Sequence, residues 1–345
     1  MTAPTELDLK FFHCEERSNL ATNGGRLSTA EIISGAVNNV WPPVLRAARM
    51  AGEKLFRKIG MKIHQDGNGT LATTEFCLDG PTLGDDRIVM FGGTATDTQA
   101  DIVDVNGDRL GSIRIFCAGG LVNPVTAGSQ TIVFAVKDAG DVAGIAIGDD
   151  IRLTDKLTPA STSGNVEYHT VADLSVDGLN ITITTENLIT NAYAAYSAGS
   201  GGKVGVIYSA GETKASNGTI VKTSAAGIFD SAGYPLLWNN MGADEHEVTH
   251  EFADAAGNFT VVSDRFGALA SGNISGDYTP LHPTWAKGLY TVELEAWGGT
   301  WAAGDTVVIP LHAAASFCWE ERNVPVGCPP LSNNRVILVN RSEGL

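Results

Sequence analysis

Apolar and polar positions alternate with a period of two in short runs along most of the chain, bounded by Gly, Asn, Asp and Pro. Such runs predict half-buried strands rather than long amphipathic helices. Lys58–His64, Leu71–Leu78 and Arg87–Phe91 are three of them, and Asp66-Gly67-Asn68-Gly69 is a turn between the first two. Asp101–Val105 and Arg109–Phe116 flank Asn106-Gly107, a dipeptide that favours hairpin turns. Gln130–Val136, Ile151–Leu153, Glu167–Val171, Leu174–Val176 and Leu179–Thr184 follow, with Asp177-Gly178 as a second hairpin signal. A compact barrel or sandwich spanning roughly Thr131–Thr185 would bury these short strands. Further strands are expected at Val204–Tyr208, Glu247–Phe252, Phe259–Ser263 (after a turn at Gly257), Tyr290–Trp297, Thr306–Ile309 and Val336–Val339, the last closing a sheet.

The first sixty residues read differently. Thr29–Val40 and Val44–Ile59 mix basic and apolar residues as short helices do, and Ser28 with Glu31 fits a capping box. Trp41-Pro42-Pro43 separates the two segments, because proline lacks the backbone donor and restricts its predecessor. The expected fold is therefore mainly β: several small antiparallel sheets or barrel and sandwich modules with short N-terminal helices. Its expected divisions are a strand and helical arm at 1–60, a β region at 61–125, a barrel-like module at 126–190 and a C-terminal β domain at 191–345.

Composition narrows the partners. Forty glycines in 345 residues suit many tight turns. A formal charge of −16, with no dense Lys/Arg patch, argues against a nucleic-acid groove and leaves basic or mixed protein surfaces as partners. The five cysteines, Cys14, Cys77, Cys117, Cys318 and Cys328, are widely spaced and odd in number, so reduced and partly buried thiols are expected. Cys318 and Cys328 bracket a proline-rich loop that would bring them near each other. Met1–Lys10 shows no signal-peptide pattern, and no window is apolar for long enough to span a membrane.

One motif points to chemistry. His246-Glu247-Val248-Thr249-His250 matches H-E-x-x-H, which binds zinc when a helix puts both histidines on one face. Here Val248 and Thr249 are β-branched and a Gly257 turn follows, so a strand is expected, with Glu247 pointing away from His246 and His250. Asp244, Glu245 and distant His282 are the remaining candidate ligands. Gly199–Gly202 before Lys203 lacks the phosphate-loop spacing and reads as a loop. Asp104–Asp108 and Asp66–Asn68 read as turns, since the acid that would complete a calcium loop from Asp104 is Ile115. The acid pairs Glu15-Glu16, Asp85-Asp86, Asp149-Asp150 and Glu320-Glu321 would face opposite ways in strands. No catalytic, cofactor-binding or metal residue is assigned, and no cofactor is expected.

Two regions resemble a tail or baseplate family of Mu-like and related contractile-tailed phages. The first comprises Leu9-Lys10-Phe11-Phe12, Asn23-Gly24-Gly25-Arg26, Glu31, Val40-Trp41-Pro42-Pro43 and Leu55-Phe56-Arg57-Lys58. The second comprises Ala303-Gly304-Asp305, Ile309–Ala314, Phe317-Cys318-Trp319-Glu320, Val324-Pro325-Val326-Gly327 and Asn334-Arg335-Val336. The matches cover about a third of the chain, and Cys318 and Cys328 depart from the family pattern. The resemblance implies a non-enzymatic virion protein, assembled in the host cytoplasm, that joins tube, sheath or baseplate components and copies of itself around the tail axis. It implies Phe11, Trp41, Trp297, Trp301 and Trp319 as fold or interface anchors. The alternatives are a carbohydrate- or receptor-binding adhesin using exposed tryptophans, and a zinc-dependent hydrolase using residues 246–250.

Overall fold

The computed structural model describes residues 3–332 and 334–344 and is mainly β, as the alternation predicts. Met1 and Thr2, part of the stretch read for a leader, lie outside the described residues.

A frame sheet joins the two ends of the chain. Its strand order is Gly24–Glu31, Leu9–Glu16, Glu53–Ile63, Ala315–Val324, Arg87–Gly92. Tyr208–Thr213, Leu71–Leu78 and Leu338–Gly344 form a three-stranded sheet. One buried cluster including Ile59, Met61, Phe76, Leu78, Met90 and Cys318 draws on both sheets. The last described strand, Leu338–Gly344, closes the smaller sheet by pairing with Leu71–Leu78; it begins two residues later than the expected Val336–Val339 and runs five residues further.

Six antiparallel strands close into a barrel: Asn180–Thr185, Thr131–Ala135, Ala118–Leu121, Lys203–Val206, Asp150–Thr154 and Val166–Asp177. The first and third of these in chain order, Ala118–Leu121 and Asp150–Thr154, do not pair with each other; Lys203–Val206 lies between them. Ile132, Phe134, Ile151, Leu153, Ile181, Ile183 and Val204 fill its interior. The hairpin expected at Asp177-Gly178 is present, with Asp177 opposite Asn180 and Gly178 at a φ of 60°. Closure removes the unpaired edges that so short a set of strands would otherwise expose. Where the barrel meets Leu71–Leu78, a Cβ on Gly205 would collide with the carbonyl of Leu78, so only glycine permits that approach.

The third unit is a sheet ordered Ser216–Asn217, Thr306–His312, His246–Phe252, Asn258–Ser263, Gly267–Asn273, with Val221–Lys222 also pairing to Thr306–His312. Gly257, at a φ of 81°, turns the chain between its two central strands as expected. Its inner face packs Phe252, Phe259, Val261, Val307 and Ile309 against Trp297, Trp301 and Tyr290. Phe252 stacks on Trp301 with ring centroids 4.0 Å apart and planes 5° from parallel.

Four expectations fail for identifiable reasons. Thr29–Val40 is not a helix: Gly24–Glu31 is a strand paired with Leu9–Glu16, and the Ser28 hydroxyl donates to the His13 carbonyl instead of capping. Of Val44–Ile59, only Arg46–Ala51 is helical, and the rest enters the strand Glu53–Ile63. Asp101–Phe116 forms no hairpin, because the Asp104 carboxylate accepts from the backbone N–H groups of Asn106 and Asp108 and tightens a local turn bridged only at Val103 and Arg109. Tyr290–Glu293 alternates in burial, but Tyr290–Trp297 as a whole contains isolated bridges and a 3-10 turn at Leu294–Ala296 rather than a continuous strand.

The aromatic stack sets a stability test. Phe252→Ala is expected to cost about 3–5 kcal/mol in urea denaturation. Thr260→Ala, on the exposed face of the neighbouring strand, is expected to change stability by less than about 0.5 kcal/mol.

Candidate functional site

The H-E-x-x-H residues lie on the strand His246–Phe252, where inward and outward positions alternate. His246 and His250 point inward and Glu247 outward, as β periodicity demands. Four residues along a strand separate the two imidazoles by about 13 Å, too far to share one ion. Each has its own neighbours. His246 Nδ1 hydrogen-bonds the Ser263 hydroxyl at 2.8 Å, and the ring meets the edge of Phe266. The Tyr290 hydroxyl donates to His250 Nε2 at 3.0 Å, inside a cage of Phe259, Tyr278 and Trp297. Desolvation pushes both imidazoles down to about 4, so they are neutral in the folded protein. Among the described residues, no group of three or more His, Cys, Asp or Glu side chains could hold a metal ion.

The other candidate ligands do come together, but as an ionic seam. His282 Nδ1 accepts from the backbone N–H groups of Thr284 and Trp285, which leaves its Nε2–H to donate to Asp244 at 3.2 Å. Asp244 also accepts from Arg265 at 2.6 Å. Arg265 reaches on to Glu15 at 3.1 Å and to the Leu27 carbonyl, both on the frame sheet. From that sheet Lys62 donates to the carbonyls of Ala243 at 2.6 Å and Met241 at 3.2 Å. Burial would raise the Asp244 carboxyl, but the hydrogen bond from His282 and the charges of Lys62 and Arg265 hold it below its ordinary value. The seam therefore ties the frame sheet to the C-terminal sheet with every carboxylate oxygen of Asp244 engaged.

Glu245 turns the other way and accepts from His312 at 2.8 Å. This pair lines an open cleft of about 280 Å³ with Tyr208, Lys214, Ser316 and Phe317. No sequence pattern marked that cleft, since its walls come from four separate segments, around Gly93, Tyr208–Ser216, Glu245 and His312–Phe317. A His–carboxylate pair can orient an imidazole for proton transfer. The nearby hydroxyl of Ser316 is instead bonded to Thr213, which bonds Thr74 at 2.7 Å.

Lys203 is equally committed. It pairs with Asp79 at 2.5 Å and donates to the Lys156 carbonyl at 2.7 Å, while Arg152 also pairs with Asp79. The lysine after the Gly-rich loop thus anchors the barrel to the small sheet. Asp66 forms a surface pair with Lys287 at 2.5 Å and accepts from Asn239 at 2.7 Å. The adjacent acids of Glu320-Glu321 face opposite sides: Trp41 Nε1 donates to Glu320 at 2.8 Å, and Arg109 pairs with Glu321 at 3.1 Å. Burial pushes Glu320 up to about 7, against the opposing pull of Trp41 and Arg322.

Cys14, Cys77, Cys117 and Cys318 are buried free thiols, and Cys328 is partly exposed and free. Cys318 and Cys328 are therefore not bridged. Burial pushes Cys14 and Cys77 up to about 12, which suppresses the thiolate that nucleophilic chemistry needs. Trp297, Trp301 and Trp319 are buried and serve the fold, whereas Phe11 and Trp41 are half-buried.

No family model matches the chain, and neither a curated protein nor a solved structure matches it.

Two outcomes follow from this geometry. Asp244→Ala, which strands Arg265 and Lys62 beside a buried gap, is expected to cost about 3–5 kcal/mol in chemical denaturation. The second concerns pH. His13, His64, His246 and His250 are each lowered from 6.5 to about 4, chiefly by desolvation. The unfolded chain binds protons below about pH 6.5 that the folded chain refuses until about pH 4, so this contribution is complete above 6.5 and declines as pH falls to 4. Glu320, raised to about 7, and Asp141, raised to about 6, act in the opposite sense: their contribution is present at low pH and lost as pH rises. His250→Gln removes one histidine proton, so its stability is expected to depend on pH less steeply between about pH 4.5 and 6, by up to about 1.4 kcal/mol per pH unit.

Proposed function

We propose that this chain is a structural protein of a contractile phage tail that joins tube, sheath or baseplate components. One observation carries the reading beyond the resemblance itself. The two regions that resemble the tail family are far apart in sequence, yet they supply four of the five strands of the frame sheet or the strap laid over it. Leu9–Glu16, Gly24–Glu31 and Glu53–Ile63 come from the first region, and Ala315–Val324 comes from the second. The strap at Trp41-Pro42-Pro43 is fastened by the Trp41–Glu320 hydrogen bond and by Arg322, which donates to the Pro42 carbonyl at 2.9 Å. The Arg57 and Arg322 guanidinium groups lie 5.5 and 4.9 Å from the Trp41 ring centroid. Residues scattered over two distant segments thus meet largely in one sheet, although Ile309–His312 of the second region lies on the C-terminal sheet instead.

The site chemistry favours the same reading. His246, His250, Asp244, His282 and Lys203 are consumed by packing and by the joints between sheets. An adhesin would present tryptophans to solvent, whereas Trp297, Trp301 and Trp319 lie in cores. The 246–250 strand gives a zinc hydrolase neither a shared metal position nor an inward glutamate.

Purified tail particles are expected to contain the chain, and its deletion is expected to stop assembly before a functional tail forms. Mass spectrometry of intact particles that finds none of it overturns the proposal.

A further inference from the structure

Two exposed apolar patches of opposite charge lie among the described residues, and no ion pair among those residues neutralises the charges of either. The first lies on the outer face of the C-terminal sheet. Strand register places Val262 opposite Thr249, Thr249 opposite Val308, and Val308 opposite Val221. These four side chains form one row across four strands, because directly paired residues share a face. Val262 is 53% exposed and Val221 55% exposed. Glu247 and Glu251 flank Thr249 on the same face, both exposed and without an ion pair among the described residues. The result is an apolar band bordered by unneutralised carboxylates.

The second patch surrounds the helix Arg46–Ala51. From Ile32 to Gly52 the chain has no acidic residue, although its overall charge is −16. Leu45 and Met50 are each 65% exposed. The turn at Pro325–Cys328 folds onto the helix, its Gly327 N–H donating to the Arg49 carbonyl at 2.7 Å. That contact sets Val326, 71% exposed, beside Gly52 and the helix end. Arg46 and Arg49 meet no carboxylate among the described residues. This patch is apolar and basic.

We propose that the basic patch of one copy docks on the acidic band of a second copy, so that the chain assembles head to tail. Like patches repel when each meets its own copy across a two-fold axis, while unlike patches attract, so the contact pairs the basic patch of one copy with the acidic band of another. Such a contact builds a ring when its rotation closes and a filament when it does not. The setting around a tail axis rests on the function proposed above; the contact itself does not.

Charge exchange tests it on the intact chain. Arg46→Glu with Arg49→Glu, and separately Glu247→Lys with Glu251→Lys, are each expected to weaken self-association at least about tenfold in sedimentation analysis, since each turns attraction into repulsion. Mixed in equal amounts, the two variants offer complementary patches at every contact. The mixture is then expected to assemble with an affinity within about threefold of the parent chain. Misfolding of either variant cannot produce that rescue, and circular dichroism of each variant checks the fold directly. A parent chain that stays monomeric at about millimolar concentration overturns the proposal, as do reversals without effect or a mixture of two folded variants that stays apart. Assembly and rescue by a chain absent from tail particles would sustain this contact and remove the tail function alone.

Discussion

Ten consecutive residue pairs, from Glu53–Val324 to Lys62–Ala315, hold the molecule together. They join segments about 250 positions apart and place both at the centre of the frame sheet. The barrel and the C-terminal sheet lie between these segments in sequence, so their placement depends on this ladder. Closing so long a loop costs conformational entropy only once, and the cost grows slowly with length. The return is a central pair of strands whose side chains serve cores on both faces: Met61 and Cys318 on one, Phe56 and Trp319 on the other.

The joints between the units are ionic where the units themselves are apolar. Arg265, held by Asp244, reaches Glu15 on the frame and so fixes the C-terminal sheet to it, and Asp79 with Arg152 and Lys203 fixes the barrel to the small sheet. Buried ion pairs add little net stability compared with apolar packing, but breaking one partner is costly. They therefore act as registration marks, rejecting displaced arrangements more strongly than they favour the correct one. A buried charge fixed on several partners is poorly placed to exchange ligands as well.

Much of the architecture was legible where local signals and pairing agree. Gly257 and Asp177-Gly178 require turns, and the alternating residues on either side have partners that the turn itself delivers. The strand identity of His246–Phe252 followed from Val248 and Thr249, and it settled the orientation of Glu247. Ser28 misled because its capping signature is local, while its hydroxyl answers to His13 on a neighbouring strand. Tyr290–Trp297 misled because alternating burial arises wherever an extended segment crosses a core, with or without a ladder. The cleft at His312 and the two ionic joints were invisible, since their members come from segments separated by scores to hundreds of residues. His282 was placed among candidate partners of Asp244, but as a ligand; only the backbone donors of Thr284 and Trp285 reveal that its free nitrogen is a hydrogen-bond donor.

The ten-pair ladder also orders events during synthesis. Every strand of the barrel has left the ribosome once Val206 emerges, so that unit can close early. Glu53–Ile63 must wait for Ala315–Val324, a delay of roughly 13–50 s at about 5–20 residues per second. Through that interval one flank of the strand is an open edge, and the Trp41 strap lacks the Glu320 and Arg322 that fasten it. A prematurely terminated chain can thus hold a well-formed barrel while its frame stays unassembled. Translation past Val324 becomes the step that completes the surface, since only a chain carrying both halves of the frame can close it.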